Sequence, residues 1–429
     1  MDRWRASSCR SACRSAFTPP GCPVSDAARD VVVIDAVRTP RGKGRPGGAL
    51  SQVKPIDLVA ELLRALARRN EALDARDIDD VLLGCVTQSG EQGANLARVA
   101  ALYAGWPDGV SGATLNRFCA SGLDAINVAA SKIAAGSDDL VVAGGVESMS
   151  RVPIFSDKGP WFADPEVAER TGFVQMGFAA DLVATFEGFE RAELDAYAAR
   201  SHQRAAAAQQ GGHFARTLEP VRDGSGGVLL DHDELVRGDT TVEALARFEP
   251  CFADAASSAK ARARYGDDLV VRALHHRGSS PSLADGAALV LLASRQRARE
   301  LCLAPRARVV AHGNASVEPV LMLTAAGRAA ERALARAAMT VGDVDLFEIN
   351  EAFAAVPLKV ARDLGIDHAQ LNVDGGTLAM GHAMGATGAM LFGGALEALE
   401  RRDERVALVA VSGGAGLGSA SVLARDDEI

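Results

Sequence analysis

The regular pattern of the chain begins at Val31, where the β-branched run VVVIDAV predicts a buried strand. From Arg38 to Gly48 it gives way to a basic, glycine-rich loop. Val59, Leu62, Leu63 and Leu66 then recur at the i, i+3, i+4, i+7 spacing of one helical face. VLLGCV from Val81 predicts a second strand, LDAINVAASKIAAG after Cys119 a helix, and LVVAGG from Leu140 another strand. Such alternation of strand and helix belongs to α/β folds.

The C-terminal part repeats the order. AAGRAAERALARAAM predicts a helix, DVDLFEIN a strand, GAMLFGGALEALERR a helix, and VALVAVSGG a strand that ends in glycine. By role, DIDDVLLGCV matches DVDLFEIN, the helix after Cys119 matches the helix after His382, LVVAGG matches LVAVSGG, and ADGAALVLLAS matches GLGSASVLA. This is self-similarity at the scale of a domain, well beyond solenoid repeats, and it predicts two similar α/β halves facing each other. Between them, from about Ser150 to Pro281, helices such as RAELDAYAARSHQRAAAAQQ are mixed with polar loops. That stretch is too long for a connector and predicts an inserted lid or binding subdomain. The expected boundaries are 1–28 for a disordered extension, 29–149 for the first half, completed by a strand at 285–296, then 150–284 for the insertion and 297–429 for the second half.

Composition acts mainly by exclusion. A length of 429 residues favours two or three domains, and 48% hydrophobic with 24% charged residues is ordinary for a globular protein. A net charge of −9 argues against a nucleic-acid partner, whose phosphates call for clustered Lys and Arg. No apolar run reaches the roughly 18 residues of a spanning helix, which argues against a membrane role. Seven cysteines (Cys9, Cys13, Cys22, Cys85, Cys119, Cys251 and Cys302) lack paired metal spacing and read as reduced thiols in a cytosolic compartment. The start, MDRWRASSCRSACRSAFTPPGCPVS, has the composition of a transit peptide, but that composition also arises by chance in Arg- and Ala-rich chains. The reading preferred is a disordered or misassigned start, with translation beginning at Val24.

Two motifs carry candidate chemistry. In NRFCASGLDAINVAA, Cys119 precedes a helix whose dipole favours thiolate and lowers the thiol below its ordinary value of about 8.5. Ala120, Ser121 and Gly122 are small enough to let a thioester approach the backbone N–H groups. A buried cysteine acting as a small hydrophobe has the same local sequence, so a second motif is needed. In GGTLAMGHAMGATGAM, His382 stands among Gly375, Gly376, Gly381, Gly385 and Gly388, and an imidazole suits removal of a thiol proton at neutral pH. The pseudo-repeat places His382 and Cys119 at corresponding helix starts of facing halves.

Asn350 and Glu351 in EINEAFA follow a strand end, where an amide can hold a water or an oxyanion; equally, the pair can cap the next helix. Ser412 ends a strand in AVSGGAGLGSA, and Gly413, Gly414 and Gly416 leave N–H groups free for an oxyanion or simply make a tight turn. Gly42, Gly44 and Gly47 match a dinucleotide pattern, but no helix opens at the last glycine and no strand ending in an acid follows. The pair His275-His276 has no Cys, Asp or Glu at ligand spacing and reads as core or surface.

Taken together, DAVRTPRGK, LNRFCASGLDA, GGVESMSRVP, INEAFA and NVDGGTLAMGHAMGATGAM resemble the motifs of the thiolase family, over about Asp30 to Ala424. The resemblance implies a thiolase-like fold of two similar α/β halves in five layers (αβαβα) with an inserted loop domain. It also implies a homodimer or homotetramer of β-oxidation that exchanges acyl groups between CoA thioesters, with a β-oxidation partner subunit compatible, while the cytoplasmic compartment is expected from the reduced cysteines. The expected reaction is cleavage of 3-oxoacyl-CoA by CoA to acetyl-CoA and a shortened acyl-CoA, or the reverse condensation. By motif, Cys119 would carry the acyl group, His382 would activate it and bind a thioester oxygen, and Asn350 would position the water of that oxyanion site. The N–H groups of Cys119 and Gly414 would form a second oxyanion hole, and Met176 in VQMGFAADL would line the acyl and pantetheine channel. No metal or bound redox cofactor is implied, CoA being itself a substrate.

The chain departs from the family pattern at three places. Ser412 stands where the family has a second cysteine, and a hydroxyl is a far weaker acid than a thiol of pKa about 8.5. Pro281 occupies the place of a CoA-contacting serine four residues before Asp285, with Ser280 beside it as a substitute. Asp374 replaces an asparagine and reads as tolerated. The first departure leaves two alternatives, acyl transfer to another acceptor or to water with impaired Claisen chemistry, and a noncatalytic acyl-CoA-binding subunit.

Overall fold

The computed structural model describes residues 30–426. The extension expected at the N-terminus, the start at Val24, and Cys9, Cys13 and Cys22 lie outside the described residues.

Twelve strands are described: β1 (Val31–Arg38), β2 (Gly42–Lys43), β3 (Asp80–Gly84), β4 (Ala113–Leu115), β5 (Leu140–Ser148), β6 (Val221–Arg222), β7 (Val228–Leu230), β8 (Ala284–Ser294), β9 (Ala307–Ser316), β10 (Leu346–Ile349), β11 (Val406–Ser412) and β12 (Leu417–Arg425). All but the β6–β7 hairpin form one ladder in the order β10-β11-β12-β9-β1-β8-β5-β3-β4, with β2 on β8. The contact between β1 and β9 is only a seam, Val32 opposite Arg308 and Val33 opposite Ala307. On either side of it the same topology appears twice. β8 runs antiparallel to both β1 and β5, β12 antiparallel to both β9 and β11, and the pairs β3–β5 and β10–β11 are parallel.

The helices sort into layers around these subsheets. Ser121–Ala134 and Met384–Arg402 are Ala- and Gly-rich, buried along most of their length, and share one core with Val141 and Val290 of one subsheet and Val409 of the other. Pro55–Arg69 and Leu96–Tyr103 cover the outer face of the first subsheet, where Leu62, Leu63 and Leu66 are buried at about 2 kcal/mol apiece. Ala325–Ala337 and Ala355–Leu364 cover the outer face of the second with Leu408 and Val422. The result is five layers, αβαβα. Strands buried on both faces explain why the sequence shows continuous apolar runs instead of alternation.

The chain between β5 and β8 leaves the sheet. It contributes helices such as Met176–Glu187 and Arg191–Gln210, which pack Phe178, Leu182 and Leu194 against the second half. One strand was not legible beforehand. In β9 the sequence ARVVAHGNAS is half-exposed through Val309 to His312 and carries polar groups that pair inward, such as Asn314 with Asp124 at 2.8 Å, so its apolar pattern is blurred. The glycines of the dinucleotide-like run serve chain packing. Gly42 pairs with Asp285 in β8, and a Cβ at Gly44 would fall 2.8 Å from the Ala284 nitrogen. His275 and His276 are wholly buried, and tertiary structure supplies the acids that their sequence neighbourhood lacks: Asp181 at 2.8 Å from His275 Nδ1 and Asp195 at 2.7 Å from His276 Nε2.

Candidate active site

Cys119 occupies a tight turn between β4 and the helix Ser121–Ala134. Phe118 holds φ at +48°, a conformation unfavourable for a residue with a side chain. The Ser121 hydroxyl fixes the turn by donating to the Phe118 carbonyl at 2.5 Å and accepting from the Arg117 N–H at 2.8 Å. Asn116 Oδ1 accepts from the Phe118 N–H at 2.7 Å. The thiol does not follow the expectation from the helix dipole. Burial, and then the charge of Glu147, push Cys119 up to about 12, against the opposing pull of the N–H groups of Cys119 and Gly414 at the sulfur. A helix end offers at most about 2 kcal/mol, less than the desolvation of a buried thiolate.

His382 sits in the corresponding turn before Met384–Arg402. Its N–H donates to the Ser282 carbonyl at 2.9 Å, and its Nδ1 pairs with the Thr387 hydroxyl at 2.8 Å. Nε2 is buried without a hydrogen-bond partner. Burial, reinforced by the positive charge of Arg41, pushes the ring down to about 4, so at neutral pH it is a neutral base.

Glycine contacts let the two turns meet. A Cβ on Gly122 would fall 2.5 Å from the Gly385 carbonyl oxygen, one on Gly145 2.0 Å from the same atom, and one on Gly388 2.4 Å from the Leu123 nitrogen. Glu147, buried near the end of β5, fastens the junction by accepting from the N–H groups of Val86, Thr87 and Gly385 at 3.0, 3.1 and 3.0 Å and from Gln92 Nε2 at 2.7 Å. Cys119, Met384, Gly414, Met176, Phe118 and Trp161 line one cavity with a free volume of about 420 Å³, part of it open to solvent.

Asn350 follows β10 and donates its N–H to the Ala410 carbonyl at 2.9 Å, continuing the ladder. Its Oδ1 accepts from the Thr377 hydroxyl at 2.9 Å, which leaves Nδ2 as a buried donor with no partner. The next helix, Ala355–Leu364, has Ala354 at its N-cap, so neither Asn350 nor Glu351 caps it. Glu351 instead braces the loop that leads to His382, accepting from Tyr197 Oη at 2.8 Å, Ser201 Oγ at 2.7 Å and the Leu378 N–H at 3.0 Å.

Two expected residues are occupied elsewhere. The Ser412 hydroxyl donates to the Leu323 carbonyl at 2.7 Å and accepts from the Ala326 N–H at 2.9 Å, and the residue does not line the Cys119 cavity. Ser412 lies on the face of β11 turned to the outer helix, because residues one apart on a strand point to opposite faces and Val411 belongs to the central core. Its single proton is directed at a carbonyl in this structure. Ser280 Oγ donates to the His276 carbonyl at 3.0 Å. Glu147 and Arg41 were not singled out as functional, although both stand within the motifs GGVESMSRVP and DAVRTPRGK. For Glu147 the available signal was an acid at the end of the apolar run LVVAGGV; Arg41 stands among other charged residues and carries no such signal.

The family profile described as "Thiolase, N-terminal domain" matches residues 31–263, and "Thiolase, C-terminal domain" matches 303–425. The chain belongs to the thiolase family. Over 418 residues it is 41% identical to the 3-oxoadipyl-CoA/3-oxo-5,6-dehydrosuberyl-CoA thiolase of Escherichia coli (strain K12), covering 92% of this chain and 100% of that protein. Over 404 residues it is 41% identical to a 3-ketoacyl-CoA thiolase of Cronobacter sakazakii, covering 92% and 99%. The solved structure of the Bacillus anthracis acetyl-CoA acetyltransferase superposes with a TM-score of 0.82 at 33% identity, covering 94% of this chain and 100% of that one. This thiolase is thus an acyl-CoA acyltransferase acting on CoA thioesters, and the names of its relatives do not favour a noncatalytic role or transfer to another acceptor. Among the described residues no helix is long and apolar enough to cross a membrane.

Proposed function

We propose that the enzyme cleaves 3-oxoacyl-CoA with CoA, giving acetyl-CoA and a shortened acyl-CoA, through an acyl thioester on Cys119, and that it runs the reverse condensation from the same intermediate. The observation that carries this reading is the unpartnered, buried Nε2 of a neutral His382, at a turn packed against that of an equally neutral Cys119 thiol. In such a site the proton moves only when substrate is bound, so the thiolate forms as it attacks.

The steps balance with one base. His382 Nε2 takes the Cys119 proton as sulfur attacks the 3-oxo carbon. The bond between C2 and C3 breaks, and the departing acetyl-CoA enolate carbon receives that proton from the imidazolium. A CoA thiol then gives its proton to Nε2, its sulfur attacks the acyl thioester, and collapse of the tetrahedral species returns the Cys119 thiolate, which recovers the proton. With the Ser412 hydroxyl committed to Leu323, His382 handles the carbon-bound proton.

The N–H groups of Cys119 and Gly414 stabilise the oxyanion on the acyl carbon, a role supported by their pull on the Cys119 sulfur. Asn350 Nδ2, through a water, and imidazolium His382 stabilise the enolate oxygen; two orphaned polar atoms favour such a ligand there. Met176 lines the channel, and Ser280, its proton given to the His276 carbonyl, contributes an acceptor oxygen at the CoA end. Cleavage of the C2–C3 bond, proton transfers and thioester exchange account for every bond with no change of oxidation state, so the proposed sequence calls for no metal or redox cofactor and CoA is consumed as substrate. Supported by family likeness, the remaining expectations are a homodimer or homotetramer in the cytoplasm, serving β-oxidation beside a partner subunit. Some of its relatives are named beta-ketoadipyl-CoA thiolases, so the choice between methyl-ended and carboxylate-ended chains falls to the walls of the Cys119 cavity.

The test is intact-mass spectrometry after incubation with 3-oxoacyl-CoA without CoA. The wild type gains one acyl mass, located on the peptide containing Cys119, and Cys119→Ala gains none. An adduct persisting in that variant would refute the assignment.

A further inference from the structure

This inference rests on Cys119 as acyl carrier and concerns which acyl group it accepts. One wall of its cavity is the segment 153–163, which contributes Ile154, Phe155, Asp157, Trp161 and Phe162. The segment is fastened at both ends. Ser150 bonds to Asp285 through its N–H at 2.9 Å and its hydroxyl at 2.5 Å, Arg151 grips Glu91 at 2.6 and 2.7 Å, and Asp164 caps the helix Pro165–Arg170. Between these anchors Phe155 and Lys158 hold φ at +68° and +52°. Strain of that kind persists where its surroundings fix a side chain for a purpose.

The side chains so fixed are aromatic. Phe155 and Phe162 pack at 4.4 Å between ring centroids, and Trp161 packs on Phe118 at 5.1 Å and on Phe173 at 4.9 Å. A Cβ at Gly414 would fall 3.0 Å from Trp161 Cζ3, so the indole lies beside an N–H that faces the Cys119 sulfur. Among the described residues lining the cavity there is no Lys, Arg or His, and the one acid is Asp157. Nearby cations are turned elsewhere: Arg117 pairs with Asp124 at 2.8 Å, Arg151 with Glu91, and Lys158 is exposed and not part of the lining.

We infer that this cavity receives the acyl chain and selects an uncharged one over a chain ending in a carboxylate, with Asp157 as the specificity-determining residue. A carboxylate placed among aromatic rings loses its hydration with no cation to replace it, and Asp157 adds like-charge repulsion. An unbranched alkyl end meets walls that are mostly apolar, with Thr87, Asn116 and Asp157 as the polar exceptions. The preference sets this chain apart from its relatives named for 3-oxoadipyl-CoA.

The experiment compares kcat/KM for 3-oxohexanoyl-CoA and 3-oxoadipyl-CoA, chains of equal length that end in a methyl group and a carboxylate. The wild type should favour the methyl-ended substrate by on the order of tenfold. Asp157→Asn should narrow the ratio by about threefold, and Asp157→Arg should narrow it further or reverse it. Asp157 is exposed, so both variants should fold. A wild type that cleaves 3-oxoadipyl-CoA as well as its neutral counterpart, or a ratio unmoved by both substitutions, overturns the inference while leaving the acyl-Cys119 reading intact. Cleavage of neither substrate, with no acyl mass on Cys119, overturns that reading and this one with it.

Discussion

The Gly385 N–H donates a hydrogen bond of 3.0 Å to the Glu147 carboxylate. Glu147 belongs to β5 of the first half, and Gly385 lies three residues past His382 in the second, so this bond ties the base of the site to the half that carries Cys119. Three further N–H donors and the Cys85 thiol converge on the same carboxylate.

Removing that acceptor strands buried N–H groups. Glu147→Ala should cost on the order of 3–5 kcal/mol of stability, read from urea unfolding. Glu147→Gln keeps the shape but removes a charge that raises the Cys119 thiol, so alkylation of Cys119 by iodoacetamide should become faster at a given pH. An unchanged alkylation rate in a folded Gln variant would contradict the electrostatic link.

The two neutral partners predict a particular pH response. With Cys119 pushed up to about 12, its alkylation in the free enzyme should keep rising with pH beyond 9 instead of levelling near the ordinary thiol value. A plateau near pH 7 would indicate a resting thiolate–imidazolium pair.

His382 also links pH to stability. Its folded pKa, about 4, lies below the ordinary 6.5, so between these values the unfolded chain binds more protons than the folded one. Its contribution is therefore fully present above about pH 6.5 and is lost as pH falls through about 4, to the extent of about 3 kcal/mol. Denaturant titrations of the wild type and His382→Asn should show the wild type losing more stability across that window. Parallel curves would remove the claim.

Asn350→Ala deletes a donor that has no structural partner. The expected result is a loss of about 10²–10³ in kcat with stability reduced by less than about 2 kcal/mol, measured by steady-state thiolysis and thermal unfolding. A change in KM alone would assign Asn350 to ground-state binding.

Ser412 should prove structural. Ser412→Ala leaves the Ala326 N–H and the Leu323 carbonyl without their partner and should cost about 1–3 kcal/mol of stability. Ser412→Cys should change the rate of thiolysis by less than about threefold, because the side chain is paired with the Leu323 carbonyl and the Ala326 N–H. A gain of tenfold or more would show that this position reaches the substrate.

Part of the fold and part of the site are legible in the sequence. Apolar runs in β1, β5, β8 and β11 were plain because strands buried on both faces admit little else, and the duplicated order of elements disclosed two halves. The glycines around Cys119 and His382 mark close backbone approach in the sequence itself. β9 was hidden because its polar side chains are satisfied by partners from distant elements.

The sequence by itself determined the α/β duplication, the two glycine-flanked turns and the residue types able to form and receive a thioester, because periodicity and local steric demands are written in neighbouring residues. Only the tertiary structure decided the burial of the pair, the hydrogen-bond partners of Ser412 and Glu147, and the place of Asp157 in the cavity wall. Those depend on desolvation, on charges and on hydrogen-bond partners brought together from far along the chain: burial overcame the helix dipole at Cys119, and the Leu323 carbonyl claimed the proton of Ser412.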